Sequence, residues 1–372
     1  MSTTSSLDLS YLDPSLEKFA ELGLQIENNP SSIDLLLDDD ILMAISHIGI
    51  PKEYNPYHNA LKTDNFDPDK FPHFLQLVEY IARFDASSML MMPGNSLSCR
   101  AVGSMGTPEQ QAHFFSRFLH KPTWTFFAVS EPNAGSDAHQ IQTNLTRDGT
   151  QNLFLNGKKK FIGGAQKADI GLVFARLGNS HRLVVVEPSS VSAQFKVTPL
   201  QTYGLVGTGL SEITMTNVPI EEHQLLGNDE LGLRQGMNAI SHVFEKHRPL
   251  VASMALGTAH ALLTQLQRHG CKGLHSYWMR YHAMYQFMLK IGEDFQEKAK
   301  VHQTSMLKAK ACAFVESVAL LAPKLLPTEV WLTSPTLQKR YRDAFAFEYM
   351  EGTSNIHRLN AFRSFTTSMG AL

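Results

Sequence analysis

Two short stretches carry residue types that could do chemistry. The first runs Trp124-Thr-Phe-Phe-Ala-Val-Ser-Glu-Pro-Asn-Ala-Gly-Ser-Asp137, a strand-like run ending in a turn that bears hydroxyls and glycine. Pro132 fixes one backbone angle there, and Gly135 lets backbone approach a ligand closely. Ser130 and Ser136 offer donors, and the free N–H groups of such a turn suit an anionic or carbonyl-rich ligand. The second is Tyr349-Met-Glu-Gly-Thr-Ser-Asn-Ile-His-Arg358. Here Glu351 is a carboxylate followed by Gly352, which permits close approach, and Thr353, which can donate. Read alone, the first stretch is as readily an ordinary strand-end loop. A single glutamate is more often a cap or surface group than a base. Glu348, one turn earlier, competes with Glu351 for the same role.

A third group lies in Phe244-Glu-Lys-His-Arg-Pro249. Glu245 and Arg248 form an i,i+3 pair whose plain reading is a surface ion pair worth tenths of a kcal/mol, on the order of 0.2–0.5. His247 is expected to face another direction. His242, Glu245 and His247 together suggest a metal, but their spacing matches no zinc motif, so no metal site is assigned.

The elements that must position these groups change character along the chain. Up to about residue 123 the pattern is helical, with Leu16, Phe19, Leu22 and Ile26 on one stripe and Phe74, Leu77, Val78 and Ile81 on another. Gly106-Thr-Pro-Glu-Gln-Gln111 has the grammar of a helix start, with Thr107 as N-cap and Pro108 at the first position. Residues 124–227 read as short strands, including Ile170–Ala175, Leu183–Val186, Phe195–Val197 and Ile213–Met215, which suggests a barrel or sandwich. No GxGxxG follows a strand, so a dinucleotide Rossmann site is not expected. Residues 228–372 are helical again. Phe244–Leu266 forms a long helix whose Ala255, Gly257 and Ala259 permit close packing, helices fit Tyr277–Lys300 and Ser305–Leu321, and Pro323, Pro327 and Pro335 mark an irregular connection.

The ordered set of motifs resembles the acyl-CoA dehydrogenase family, flavoenzymes that desaturate acyl thioesters, from about Leu16 to Arg363. Besides the stretches above it includes Phe154-Leu-Asn-Gly-Lys-Lys-Lys-Phe-Ile162, Tyr203-Gly-Leu-Val-Gly-Thr208 and Leu225-Leu-Gly227. The resemblance implies a three-part helix–β–helix fold, mainly α with a central β-barrel or sandwich, and FAD as cofactor. Desaturation needs a base for the α-proton and an acceptor for the β-hydride, and a carboxylate in a dry pocket suits the first task. By resemblance Glu351 is that base. Phe127, Val129, Ser130, Gly135, Ser136, Phe161, Gly163, Thr353 and Asn355 would hold the flavin. Ser136, Glu245, Arg248 and Gly352 would meet the substrate and its thioester arm.

Three departures stand out. Where relatives carry a hydroxyl after the aromatic-Ile pair, this chain has Phe161-Ile-Gly163-Gly164. The family's Arg-x-x-Phe-Gly arm to the neighbouring subunit is replaced by Arg268-His-Gly-Cys-Lys-Gly-Leu-His-Ser276. Val318-Ala-Leu-Leu-Ala-Pro-Lys324 stands in place of the glycine-rich adenosine-diphosphate motif. These point away from routine fatty-acid oxidation and toward an acyl group on a carrier protein in a biosynthetic pathway. Three readings stay open beside it: an ordinary acyl-CoA dehydrogenase of fatty or amino acid catabolism, a flavin oxidase or monooxygenase, and a non-catalytic homologue. The electron acceptor is not fixed.

Composition sets the remaining bounds. Apolar residues make up 43% of the chain and the net charge is −2, which fits a globular protein with neither nucleic acid nor an anionic membrane as partner. Three cysteines without CxxC spacing point to reduced thiols. The first residues carry neither a basic region nor an apolar core, so a cytoplasmic location is expected. The small-residue stripe of the long helix suggests a homo-oligomer, most simply a dimer.

Overall fold

The computed structural model describes residues 7–133, 140–227, 237–298 and 301–369. The chain opens with helices α1 (Asp13–Asn28), α2 (Asp40–Ser46), α3 (Phe71–Met91), α4 (Leu97–Met105) and α5 (Pro108–Phe115). The apolar stripe of α1 buries Leu16, Phe19 and Ile26. At α5, Thr107 accepts from the Gln110 N–H and the Gln110 side chain answers from the Thr107 N–H, closing a reciprocal cap in front of Pro108. Helix α3 leaves helical geometry at Asp85. The Asp85 carboxylate there binds Lys339 at 2.9 Å.

Seven strands follow: β1 (Thr125–Ala128), β2 (Asn144–Arg147), β3 (Leu153–Ile162), β4 (Ile170–Leu177), β5 (Ser180–Val186), β6 (Phe195–Pro199) and β7 (Ser211–Ile220). They form one mixed sheet in the order β1-β4-β2-β3-β7-β6, with β5 paired to β4. Strands β1 and β2 run parallel to β4 and share one of its edges, while every other pairing is antiparallel. The sheet curls over one core, so that Phe126 of β1 and Phe195 of β6, at opposite ends of the order, bring their rings to 5.7 Å. Among the described residues no ladder joins those ends. The sheet is curled and open there where a barrel or sandwich was anticipated, because the four-residue β1 commits its pairing to β4.

The helical remainder is α6 (Met237–Arg268), α7 (His275–Lys298), α8 (Val301–Ala319), α9 (Ala322–Leu325), α10 (Thr328–Thr333), α11 (Pro335–Ala346) and α12 (Ser354–Met369). The proline-marked connection is thus three short helices, for a proline in the first turn gives up an N–H that has no partner there anyway. Pro249 lies inside the 32-residue α6. It cannot donate to the Glu245 carbonyl, which leaves the ladder one bond short at that point.

The small-residue stripe of α6 is used within the chain. A Cβ added at Gly257 would sit 2.1 Å from the Glu79 carbonyl oxygen of α3. Ala255 and Ala259 are buried in the same core as Val78 and Ala82 of α3. The stripe therefore seats α3 and gives no support to a contact between subunits, contrary to the expectation drawn from it. Among the described residues no helix is long and apolar enough to cross a membrane.

Candidate active site

The Glu351 turn is held from several sides. Glu351 has φ 54°, a left-handed conformation that costs a side-chain-bearing residue about 1–2 kcal/mol. Gly352 follows at φ 101°, where glycine is at ease. Glu348 is accounted for nearby: its two oxygens accept from the N–H (2.7 Å) and hydroxyl (2.5 Å) of Ser354, capping α12. From α8, the wholly buried Lys308 donates to the carbonyls of Glu348 (2.8 Å) and Gly352 (2.7 Å). Burial draws its pKa down, opposed by Cys312 and by the carboxylates of Glu348 and Glu351.

The Glu351 side chain is only 6% exposed. One oxygen meets Nδ1 of His247 without the alignment of a hydrogen bond, and Oε2 has no hydrogen-bond partner among the described residues. Arg248 is buried too, and its Nε has no partner among the described residues. Burial lowers its pKa against the pull of Glu245 and Glu351. Burial raises the pKa of Glu245, with Arg248 opposing. Both line a cleft of about 290 Å³ with Ser241, Asn360, Arg363 and Ser364. Arg100 of α4 also feels the Glu351 charge and reaches the Lys246 carbonyl at 3.4 Å. His357 of α12 is buried beside Gly352, and burial, then Arg248 and Lys308, push its pKa down to about 3. Its imidazole is neutral at ordinary pH.

Thus one carboxylate with a free oxygen sits among cationic and neutral nitrogen groups in a largely dry setting. Such a group can take a proton. His247 was expected to point elsewhere, yet it faces Glu351. Phe244, His247 and Arg248 are spaced i, i+3, i+4 and share one face of α6, and that spacing was the available signal. Lys308 left no trace in the sequence beyond being a lysine at a helical position whose neighbours are apolar.

The other half of the site lies at the C-terminal end of β1. Phe127 meets Phe244 of α6 edge-on at 5.9 Å, which ties this strand to the helix carrying His247. The Ser130 carbonyl accepts from the Lys160 N–H at 2.9 Å, bringing Ser130 alongside the end of β3. Phe161 is 57% exposed at φ 63°, so it does not pack inside the sheet. Gly163 next to it is exposed, with its nearest neighbour Leu210 at 3.9 Å from an added Cβ. Val129 is pinned through its carbonyl by the buried Lys159 at 2.9 Å, and the same ammonium binds Glu131 at 2.9 Å. Thr353 is half-buried, its carbonyl taking the His357 N–H, and Asn355 is exposed with its oxygen toward Arg358. Gly135 and Ser136 lie outside the described residues.

Comparison with known proteins gives the family. The family profile of the acyl-CoA dehydrogenase middle domain matches residues 126–218, and that of the C-terminal domain matches residues 267–365. An acryloyl-CoA reductase (NADH) of Anaerotignum propionicum is 23% identical over 344 residues, which cover 85% of this chain and 82% of that protein. A glutaryl-CoA dehydrogenase from Mycobacterium smegmatis, solved in complex with FADH2, superposes with a TM-score of 0.77 at 19% identity over 98% of this chain and 97% of its own. A prolyl acyl carrier protein oxidase superposes with a TM-score of 0.76 at 19% identity, over 96% and 99% respectively. With two profiles matched in order across more than half its length, the chain belongs, as a divergent member, to the acyl-CoA dehydrogenase family of FAD-dependent oxidoreductases.

Proposed function

We propose that the protein dehydrogenates an acyl thioester between its α and β carbons, with Glu351 as the base. The observation that carries this is the buried Glu351 carboxylate with Oε2 unpartnered. The α-proton passes to Glu351, and the electron pair of that C–H bond becomes the new C=C bond as hydride leaves the β-carbon. FAD, when bound, supplies the two-electron acceptor for that hydride. The exposed Phe161 ring beside the open Gly163 and the end of β1 fits a flat aromatic group. Ser130, Phe161 and Gly163 would border it, with Phe127 and Val129 setting the strand behind and Gly135, Ser136, Thr353 and Asn355 completing the border. Glu245, Arg248 and Gly352 would line the thioester path. In this reading the chain divides into an N-terminal helical domain (1–123), a central β domain (124–227) and a C-terminal helical bundle (228–372), and the protein works as a cytoplasmic homodimer.

The acyl group is carried on a carrier protein in this reading. Supporting it are the replaced intersubunit motifs at Arg268–Ser276 and Val318–Lys324 and the likeness to an acyl carrier protein oxidase. Anaerobic titration of the FAD-loaded protein with free acyl-CoA and with the same acyl group on a carrier protein separates the two: bleaching by free acyl-CoA alone rules out the tethered substrate. Glu351→Gln is expected to stay yellow and to lose flavin reduction. Turnover retained in that variant would move the base elsewhere.

A further inference from the structure

We infer that Lys308 is the positioning residue that holds Glu351 in its working geometry; this rests on Glu351 being the base. The chain places the base at φ 54°, and a residue with a side chain drifts out of that region unless its neighbours fix it. The carbonyls that Lys308 grips belong to Glu348 and Gly352, which bracket Glu351 in the chain. Both bonds are short and charge-assisted, and such bonds are about twice as strong as neutral ones.

Nothing about packing alone calls for an ammonium here. Lys308 lies among Leu307, Ala311 and Cys312 on the buried side of α8, where an unpaired charge would cost several kcal/mol. An apolar side chain of equal length would fill the same space. What the ammonium adds is two donors aimed at one five-residue turn. Glu348 assists from the other end by anchoring the turn to Ser354. The carboxylate of Glu351 is thus suspended between two fixed points, one on α8 and one at the start of α12.

The test compares Lys308→Met and Lys308→Gln with the parent, using the thioester that bleaches the parent protein. Each variant is first checked for FAD content and thermal midpoint. The rate of anaerobic FAD bleaching in Lys308→Met is expected to fall about 10- to 100-fold, since a displacement of roughly 1 Å at a reacting group costs about that much. KM is expected to stay within about threefold, because the thioester arm is held elsewhere. Lys308→Gln, which keeps a donor, is expected to fall between the two and serves as the readout if the methionine variant does not fold. An unchanged rate in a folded variant overturns the inference. So does a loss of rate that only tracks loss of FAD, because that is structural support and not positioning. Glu351→Gln measured alongside keeps the two ideas apart: full activity in that variant sinks the base assignment, whereas its inactivity with a normal Lys308→Met sinks only the role of Lys308.

Discussion

Replacing helical glycines by alanine probes the interior contacts of this fold in a graded way. Gly103 in α4, Gly292 in α7 and Gly257 in α6 all sit in helices, where Gly→Ala alone is worth about 1 kcal/mol in favour of alanine. The three differ in what the new methyl meets. At Gly103 the nearest atom is Phe115 Cζ at 3.8 Å, an ordinary contact, so Gly103→Ala is expected to stabilise by about 0.5–1 kcal/mol. At Gly292 the methyl meets Leu75 Cδ1 at 3.0 Å and the Pro72 Cα at 3.1 Å. A small shift accommodates it, and the overpacking offsets the propensity gain to within about 0.5 kcal/mol. At Gly257 the methyl falls 2.1 Å from the Glu79 carbonyl oxygen and 2.8 Å from the Ala82 Cβ. The first contact is about 1.3 Å short of ordinary separation and the obstacle is backbone, so α3 and α6 must part. Overpacking of that kind costs about 3 kcal/mol, and after the propensity gain Gly257→Ala is expected to lose about 2 kcal/mol. Equilibrium urea unfolding of the three FAD-loaded variants reads the order directly. A Gly257→Ala protein as stable as the parent would refute the claim that the small-residue stripe seats α3.

Three further outcomes follow from the site. Lys159→Met should cost about 3 kcal/mol by urea unfolding, because it strands the buried Glu131 carboxylate, and a loss below about 1 kcal/mol would show the pair to be idle. Burial raises the Glu131 pKa, but bonds from Gln142, Thr143 and Lys159 outweigh it and hold the value below the ordinary 4.5. The stability this confers is complete above pH 4.5 and is lost as pH falls through the lower folded value, so the acid decline in urea midpoint should shrink in Glu131→Gln. His247→Asn should slow flavin reduction about tenfold, the worth of one partly buried polar contact near 1.4 kcal/mol, and an unchanged rate would remove His247 from the site.

How much of this was legible beforehand depended on whether a residue's role was local. Thr107 and Pro108 announced α5 because a helix start is written within four residues. Gly352 announced a close backbone approach, but the left-handed conformation of Glu351 was not legible, since a glutamate rarely adopts it. The sheet was harder: the strand-like runs at residues 170–175 and 183–186 were plain, but the parallel pairing of β1 with β4 joins residues some 45 apart, and alternation of apolar residues carries no partner label. Likewise, Lys308 acts across 40 and 44 residues on two backbone carbonyls, and carbonyls look alike in any sequence. The stripe at Ala255, Gly257 and Ala259 was read correctly as a seat for a close neighbour. The neighbour turned out to be α3, since small residues state how near a partner comes and not which one it is.

Pro249 divides α6 mechanically. The segment from Leu250 to Leu266 is locked into the largest core, while Phe244, His247 and Arg248 stand on the shorter side of the missing hydrogen bond. Bending costs less at that joint than anywhere else along α6, because one rung of the ladder is already absent. The short side is packed in its own right, with Ile240 and Val243 buried, the ring of Phe244 against β1 and the imidazole of His247 against Glu351. A tilt about the proline would move both contacts together. The missing rung thus falls where the two halves of the candidate site meet, at the edge of the bundle that carries them.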